Sequence, residues 1–234
     1  MKKLTITTLA LVALLASCGG SASQKSASDT AAADSVATET EYLSSDYQTF
    51  ELQGHVKSIV TYDQDVPEIP TDSMTFDRQG RLTSYKITVF DGPDLVRYVY
   101  PNDQSLRGKV VKDKDLFIDC DMVRDAKGRL TKIAQNEFEY DKQGRVKRHV
   151  IDGWESTSEE TTKERDAQGR ALTIYFSGSG EGTEWTGREV RNYEQNDSHG
   201  NWTVMDATYI FDSMEGEGGE TSDAIYVRTI EYWE

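Results

Sequence analysis

Cysteine is nearly absent: Cys18 and Cys120 are the only two in 234 residues. That excludes a disulfide framework, and if Cys18 is consumed by modification no intramolecular disulfide is possible. Cys120 sits in Leu116-Phe117-Ile118-Asp119-Cys120-Asp121-Met122-Val123, which reads as a strand with no histidine beside it. It is expected to be a small buried hydrophobe and not a nucleophile. Histidine is also scarce. His55, His149 and His199 are far apart and match no metal spacing, and His199 is expected to be exposed in a turn. Asp113-Lys114-Asp115 and Asp119-Cys120-Asp121 lack the glycine and distal glutamate of a calcium loop, so no metal or cofactor is expected. Basic residues number 26 against 41 acidic ones, a net charge of −15. Nucleic-acid binders need basic surface to displace counterions, and adhesion to anionic lipid needs it too, so both partners are excluded. No stretch shows capped helical periodicity, and no apolar run approaches the roughly twenty residues of a membrane-spanning helix.

What is present begins at the N-terminus. Lys2 and Lys3 precede the apolar stretch Leu4 to Leu15, too short to cross a bilayer but suited to a cleavable signal. The segment ends Leu15-Ala16-Ser17-Cys18-Gly19, which resembles the bacterial lipobox. Residues 1–17 therefore read as a lipoprotein signal peptide, and Cys18 as the lipid attachment site. Beyond that cut, 24 basic and 41 acidic side chains leave a charge of −17. Several acyl chains give durable anchoring, at roughly 0.8 kcal/mol per buried CH₂. The residue after Cys18 is Gly19, not the aspartate of inner-membrane retention, and no acidic cluster follows it. By that likeness the expected address is the outer membrane, on its periplasmic face.

From Gly19 to about Glu41 the chain is almost entirely Ser, Ala, Thr, Gly, Asp and Glu, with no aromatic before Tyr42. Such a stretch cannot bury enough apolar area to offset its ordering entropy, so residues 18–46 read as a lipidated cysteine and flexible tether. Asp29-Thr30-Ala31 and Asp34-Ser35-Val36 resemble O-glycosylation acceptors of exported proteins.

Residues 47–234 carry a degenerate repeat. Asp77-Arg78-Gln79-Gly80-Arg81 returns as Asp125-Ala126-Lys127-Gly128-Arg129, Asp141-Lys142-Gln143-Gly144-Arg145 and Asp166-Ala167-Gln168-Gly169-Arg170, with a variant Asp197-Ser198-His199-Gly200-Asn201. Aspartate opening a type I turn accepts backbone hydrogen bonds, and glycine in the fourth place takes the left-handed conformation that closes a bulged hairpin. The Arg or Asn after each glycine reads as a solvated strand start, with bridging to carboxylates on the next strand as the alternative. Decayed units are expected near Tyr100-Pro101-Asn102-Asp103 or Arg107-Gly108, and an earlier one at Leu52 to Ser58. Flanks alternate with period two: Tyr226, Arg228, Ile230 and Tyr232 fall on one face, Val227, Thr229, Glu231 and Trp233 on the other. The spacing predicts an all-β domain, an antiparallel hairpin meander of about 10–14 strands, strongly curved or barrel-like.

The units Phe76-Asp77-Arg78-Gln79-Gly80-Arg81-Leu82-Thr83 and Tyr140-Asp141-Lys142-Gln143-Gly144-Arg145-Val146-Lys147 resemble the YD repeats of RHS-type proteins. With the ending Asp197 to Thr203 and Val227 to Tyr232, the ensemble resembles YD-repeat-like lipoproteins of the Gram-negative envelope. The resemblance implies hairpins in series and no particular activity.

No catalytic residues stand out. Nothing in the linear sequence picks two carboxylates from 41, as a glycosidase would need. The best binding-loop candidate is Ser177 to Trp185, where Gly178, Gly180 and Gly182 adjoin Trp185. Glu215 to Glu220 reads as a long hairpin loop. The expected function is a non-enzymatic, membrane-tethered binding or structural lipoprotein with a protein or glycan partner. A glycan-binding accessory protein of a nutrient-uptake system is the alternative, and a carboxylate-based hydrolase the second.

Overall fold

The computed structural model describes residues 44–89, 92–111, 121–153, 156–212 and 219–234. Cys18, the acceptor tripeptides, Cys120, Trp154 and most of the 215–220 loop lie outside them. The described chain is β throughout except for one turn of helix, α1 (Asp46–Thr49). The strands are β1 (Val56–Asp63), β2 (Pro70–Phe76), β3 (Leu82–Val89), β4 (Gly92–Val99), β5 (Lys109–Val111), β6 (Met122–Arg124) and β7 (Leu130–Ile133). They continue as β8 (Asn136–Tyr140), β9 (Val146–Asp152), β10 (Ser156–Arg165), β11 (Ala171–Gly180), β12 (Thr183–Asn196), β13 (Trp202–Phe211) and β14 (Thr221–Tyr232).

All fourteen form one antiparallel sheet in the order β5-β4-β3-β2-β1-β14-β13-β12-β11-β10-β9-β8-β7-β6. So long a sheet curls, and here it curls into a nearly closed barrel. The first and last strands pair, leaving β5 and β6 as edges, each only three residues long. Side chains cross that seam: the Tyr100 hydroxyl lies 3.7 Å from Met122 Sδ, and Arg124 Nε donates to Leu106 O at 2.5 Å. Short edges tied in this way blunt edge-to-edge aggregation.

All five Asp-x-x-Gly tetrads reverse the chain, between β2 and β3, β6 and β7, β8 and β9, β10 and β11, and β12 and β13. In each, aspartate Oδ1 accepts from the backbone two and four residues on at 2.9–3.0 Å. The tetrad glycines take φ between +73° and +88°, which a side chain would strain. Antiparallel alternation gathers all five at one end of the barrel. The stretch 102–105 is a worn copy: Asn102 Oδ1 accepts from Gln104 N at 3.0 Å, but no glycine follows. The expected unit at Leu52 to Ser58 is no hairpin. No strand precedes it among the described residues, and it runs from α1 into β1, with Gln53 N and O both bonded to the Asn201 amide.

The arginines after the glycines bridge carboxylates, but those of their own turns and not of the next strand, and only Arg145 stays more than a third exposed. Arg81, Arg129, Arg145 and Arg170 fold back onto their own aspartates at 2.6–2.7 Å. Three lie against a tyrosine ring from the strand after next, with guanidinium-to-centroid distances of 4.2 Å (Tyr100), 4.3 Å (Tyr140) and 4.1 Å (Tyr193). Each of these hydroxyls donates to the carbonyl following its arginine, at Leu82, Leu130 and Ala171. Burial pushes the Tyr140 phenol up to about 12, which keeps it a donor at neutral pH.

Residues 44–46, read as tether, are packed into the domain. Ser44 to Gly54 crosses the turn-bearing end and meets the turns in spatial order. Ser44 N donates to Gln79 O, Asp46 pairs with Arg124, Gln48 Nε2 reaches Gln143 O, Glu51 pairs with Arg165 and Gln53 bonds Asn201. The segment caps the barrel. Beneath it lies the main core, built on Tyr47, Ile59, Met74, Phe76, Leu82, Leu130, Ile133 and Phe138, with a second cluster at Trp202, Met205 and Ala207. Outward positions of β12 are Glu184, Thr186, Arg188, Val190, Asn192 and Glu194, all exposed. Five of those six side chains are polar or charged.

Candidate functional site

The interior is not apolar throughout. Period two turns Trp185, Gly187, Glu189, Arg191 and Tyr193 of β12 inward, so an acid and an arginine enter the barrel. Register brings further charges alongside. Asp72 on β2 and Arg228 on β14 both pair across Thr61 of β1, and Glu160 on β10 pairs with His149 on β9, itself opposite Phe138. These groups line a cavity of about 260 Å³ bounded by Asp72, Tyr85, His149, Glu160, Arg191 and Arg228, with Thr49 to Glu51 of the cap at its wall.

Most of the charges are matched. Glu189 and Arg191 pair side-on, at 2.7 Å and 3.0 Å. Burial works against the Arg191 charge, and the Glu189 carboxylate more than offsets it. His149 bridges Glu160 at 3.1 Å and Asn136 Oδ1 at 2.8 Å while its ring stacks on Phe138. Burial alone would raise the Glu160 carboxyl, but His149 and Arg191 hold it below the usual range. Tyr85 is pushed above its ordinary value by burial and by the fields of Asp72 and Glu160, so it remains a hydroxyl.

Two charges are left over. Among the described residues, neither Asp72 nor Arg228 has an ion-pair partner within 4 Å. Burial raises the Asp72 carboxyl, with Arg228 opposing, and lowers Arg228 to about 10. Arg228 Nε donates to Thr61 Oγ1 at 3.3 Å, and its guanidinium lies 3.6 Å from the Trp202 ring centroid. No group of three or more His, Cys, Asp or Glu among the described residues is placed to hold a metal ion.

The glycine-rich candidate is placed differently from its reading as a loop. β11 runs to Gly180 and β12 begins at Thr183, so only Glu181 and Gly182, at φ +50° and +80°, make the reversal. Ser177 to Gly180 hydrogen-bonds into ladders on both sides, which overrides its flexible composition. Gly178 pairs with Trp185, and an added Cβ would lie 2.5 Å from the indole. Gly178→Ala is therefore expected to displace the Trp185 ring and cost about 1–3 kcal/mol. Near-ultraviolet dichroism and a thermal melt check this; an unchanged aromatic spectrum counts against it.

One face of each described tryptophan is covered: Trp185 by Gly178, Trp202 by Arg228, and Trp233 by Arg78 at 4.8 Å. His199 is exposed, stacked on Tyr232 at 4.0 Å. The charged interior was not found from sequence, although one signal was visible. Arg228 stands in an otherwise aromatic and aliphatic row of β14, where a solvated arginine would not alternate.

No protein-family model matches the chain, and no curated protein sequence matches it. A crystal structure of a porin-like protein from Bacteroides uniformis is similar over 75% of this chain and 98% of that one, at 12% identity and a TM-score of 0.33. A likeness that low carries neither fold nor function across.

Proposed function

We propose that the protein is a non-enzymatic binding lipoprotein of the cell envelope, tethered through Cys18 to the periplasmic face of the outer membrane, that holds a small polar solute inside its barrel. The observation that carries this reading is the 260 Å³ cavity lined by ionisable side chains. A barrel interior ordinarily fills with close-packed hydrocarbon, so a polar recess lined by Asp72, Glu160, Arg191 and Arg228 departs from what packing alone would select and suits a polar solute. The volume falls below the roughly 300–1,000 Å³ of drug-sized sites, which fits a small metabolite better than an oligosaccharide. Binding is favoured over catalysis because the carboxylates of Glu160 and Glu189 are committed to His149 and Arg191. Each described tryptophan, Trp185, Trp202 and Trp233, already has protein against one ring face.

The test is a thermal-shift screen of the mature chain against sugars, organic acids, amines and amino acids. A solute at a hundred times its Kd adds about 2.7 kcal/mol, or a rise of roughly 5–10 °C in Tm. The rise should vanish in a Thr162→Trp variant that fills the cavity while keeping the far-ultraviolet spectrum. If no solute of any class shifts the folded wild-type chain, the binding reading fails.

A further inference from the structure

Asp72 and Arg228 carry opposite charges, face one cavity and are not paired with each other. Both are cross-strand neighbours of Thr61, which sets their backbones two strand spacings apart, about 9–10 Å. Arg228 is held by the Thr61 hydroxyl and the Trp202 ring, and its terminal nitrogens make no hydrogen bond among the described residues. Those nitrogens are the fork that binds a carboxylate bidentately. Asp72 offers a carboxylate to a cation.

We propose that the cavity takes a small zwitterion bearing an ammonium and a carboxylate a few ångströms apart, such as an α-amino acid, with its carboxylate on Arg228 and its ammonium on Asp72. This deepens, and rests on, the binding reading above. Charge balance selects the class. The other charged groups at the cavity already have partners: Glu51 pairs with Arg165, Arg191 with Glu189 behind it, and Glu160 is hydrogen-bonded to His149 and lies in the field of Arg191. A lone anion would satisfy Arg228 but face Asp72 and the remaining carboxylates. A lone cation would satisfy Asp72 and leave Arg228 desolvated, and a neutral sugar would leave both uncompensated. A zwitterion adds no net charge and meets both. The elevated Asp72 carboxyl fits such a site, since an incoming ammonium supplies the partner that ionisation needs.

Calorimetric titration of the mature chain tests this with glycine, L-alanine and L-threonine, with propionate and propylamine as single-ended analogues, and with glucose as neither. An amino acid is expected to bind saturably, and each single-ended analogue at least tenfold more weakly. Asp72→Asn and Arg228→Gln should each lower amino-acid affinity about tenfold to a hundredfold, the range of one charge-assisted hydrogen bond. Asp72→Asn should not weaken propionate binding and should tighten it, because the carboxylate that faces the bound anion is removed. Amino-acid binding indifferent to both substitutions, or tighter binding of propionate, propylamine or glucose, overturns the zwitterion while the cavity reading stands. Absence of binding by every class in the thermal screen overturns both. Should a variant fail to fold, the analogue series on the wild-type chain decides alone.

Discussion

Replacing Arg124 with alanine is expected to destabilise the domain by about 3–5 kcal/mol, a large share of the roughly 5–15 kcal/mol a domain possesses. The side chains of Asp46 and Arg124 retain 0% and 4% of their accessible surface. They meet through two hydrogen bonds, Nη1 to Oδ1 at 2.6 Å and Nη2 to Oδ2 at 2.9 Å. Arg124 also donates to the carbonyls of Leu106 and Gly128, and Asp46 Oδ2 accepts from Leu82 N at 2.8 Å. One guanidinium thus joins the cap, the β6 edge and the loop between β4 and β5, while the aspartate reaches the start of β3. Truncating the arginine strands a carboxylate with no water to turn to, and uncovers two carbonyls. Removing both charges avoids that: an Asp46→Leu, Arg124→Met double variant should recover most of the loss, because the cost lies in the orphan more than in the lost attraction. Equilibrium urea unfolding of the four proteins gives the coupling energy directly. A loss below about 1 kcal/mol for Arg124→Ala would show that the seam does not depend on this pair.

The parts of the fold legible in the sequence are those governed by a few consecutive residues. Aspartate and glycine at fixed spacing decide a turn locally, so the five tetrads and the antiparallel meander follow from them. Arg124 and Arg165 precede two of the tetrad aspartates where Tyr140 and Phe76 precede two others. The arginines reach Asp46 and Glu51 on the cap, 78 and 114 residues away, a pairing that composition cannot reveal. Asp46 looked like linker because it follows a polar tract; its burial depends on a partner far along the chain. Glu189 and Arg191 were hidden by the same logic, since charged residues alternating on a strand read as its wet face. In a barrel the face is set by closure, which no single strand encodes. Gly178 and Gly180 misled in the opposite direction: glycine content suggested mobility, while pairing on both sides holds them in the sheet and makes Gly178 a floor for Trp185.

Phe76→Ala should produce a loss of similar size, about 3–5 kcal/mol, through packing instead of charge. Phe76 is 2% exposed at the end of β2, and its ring meets Tyr47 edge-on at 5.0 Å and Phe50 at 6.1 Å. Phe50 in turn contacts Tyr85 and Phe138, so one aromatic cluster joins the cap to both sides of the barrel. Tyr47 is further pinned by donating its hydroxyl to Val56 O at 2.5 Å. A cavity at Phe76 therefore falls where the cap is seated, and Phe76→Leu, which keeps most of the volume, should cost less than about 1.5 kcal/mol. The two losses are separable by hydrogen exchange. Arg124→Ala should expose amides along β4 to β7, whereas Phe76→Ala should deprotect residues 46–52 first, with the seam still closed. Thr49 to Glu51 also form part of the cavity wall, so a loosened cap should speed the release of any bound solute. Unchanged protection at 46–52 in Phe76→Ala would mean that the cap is held by its ion pairs alone.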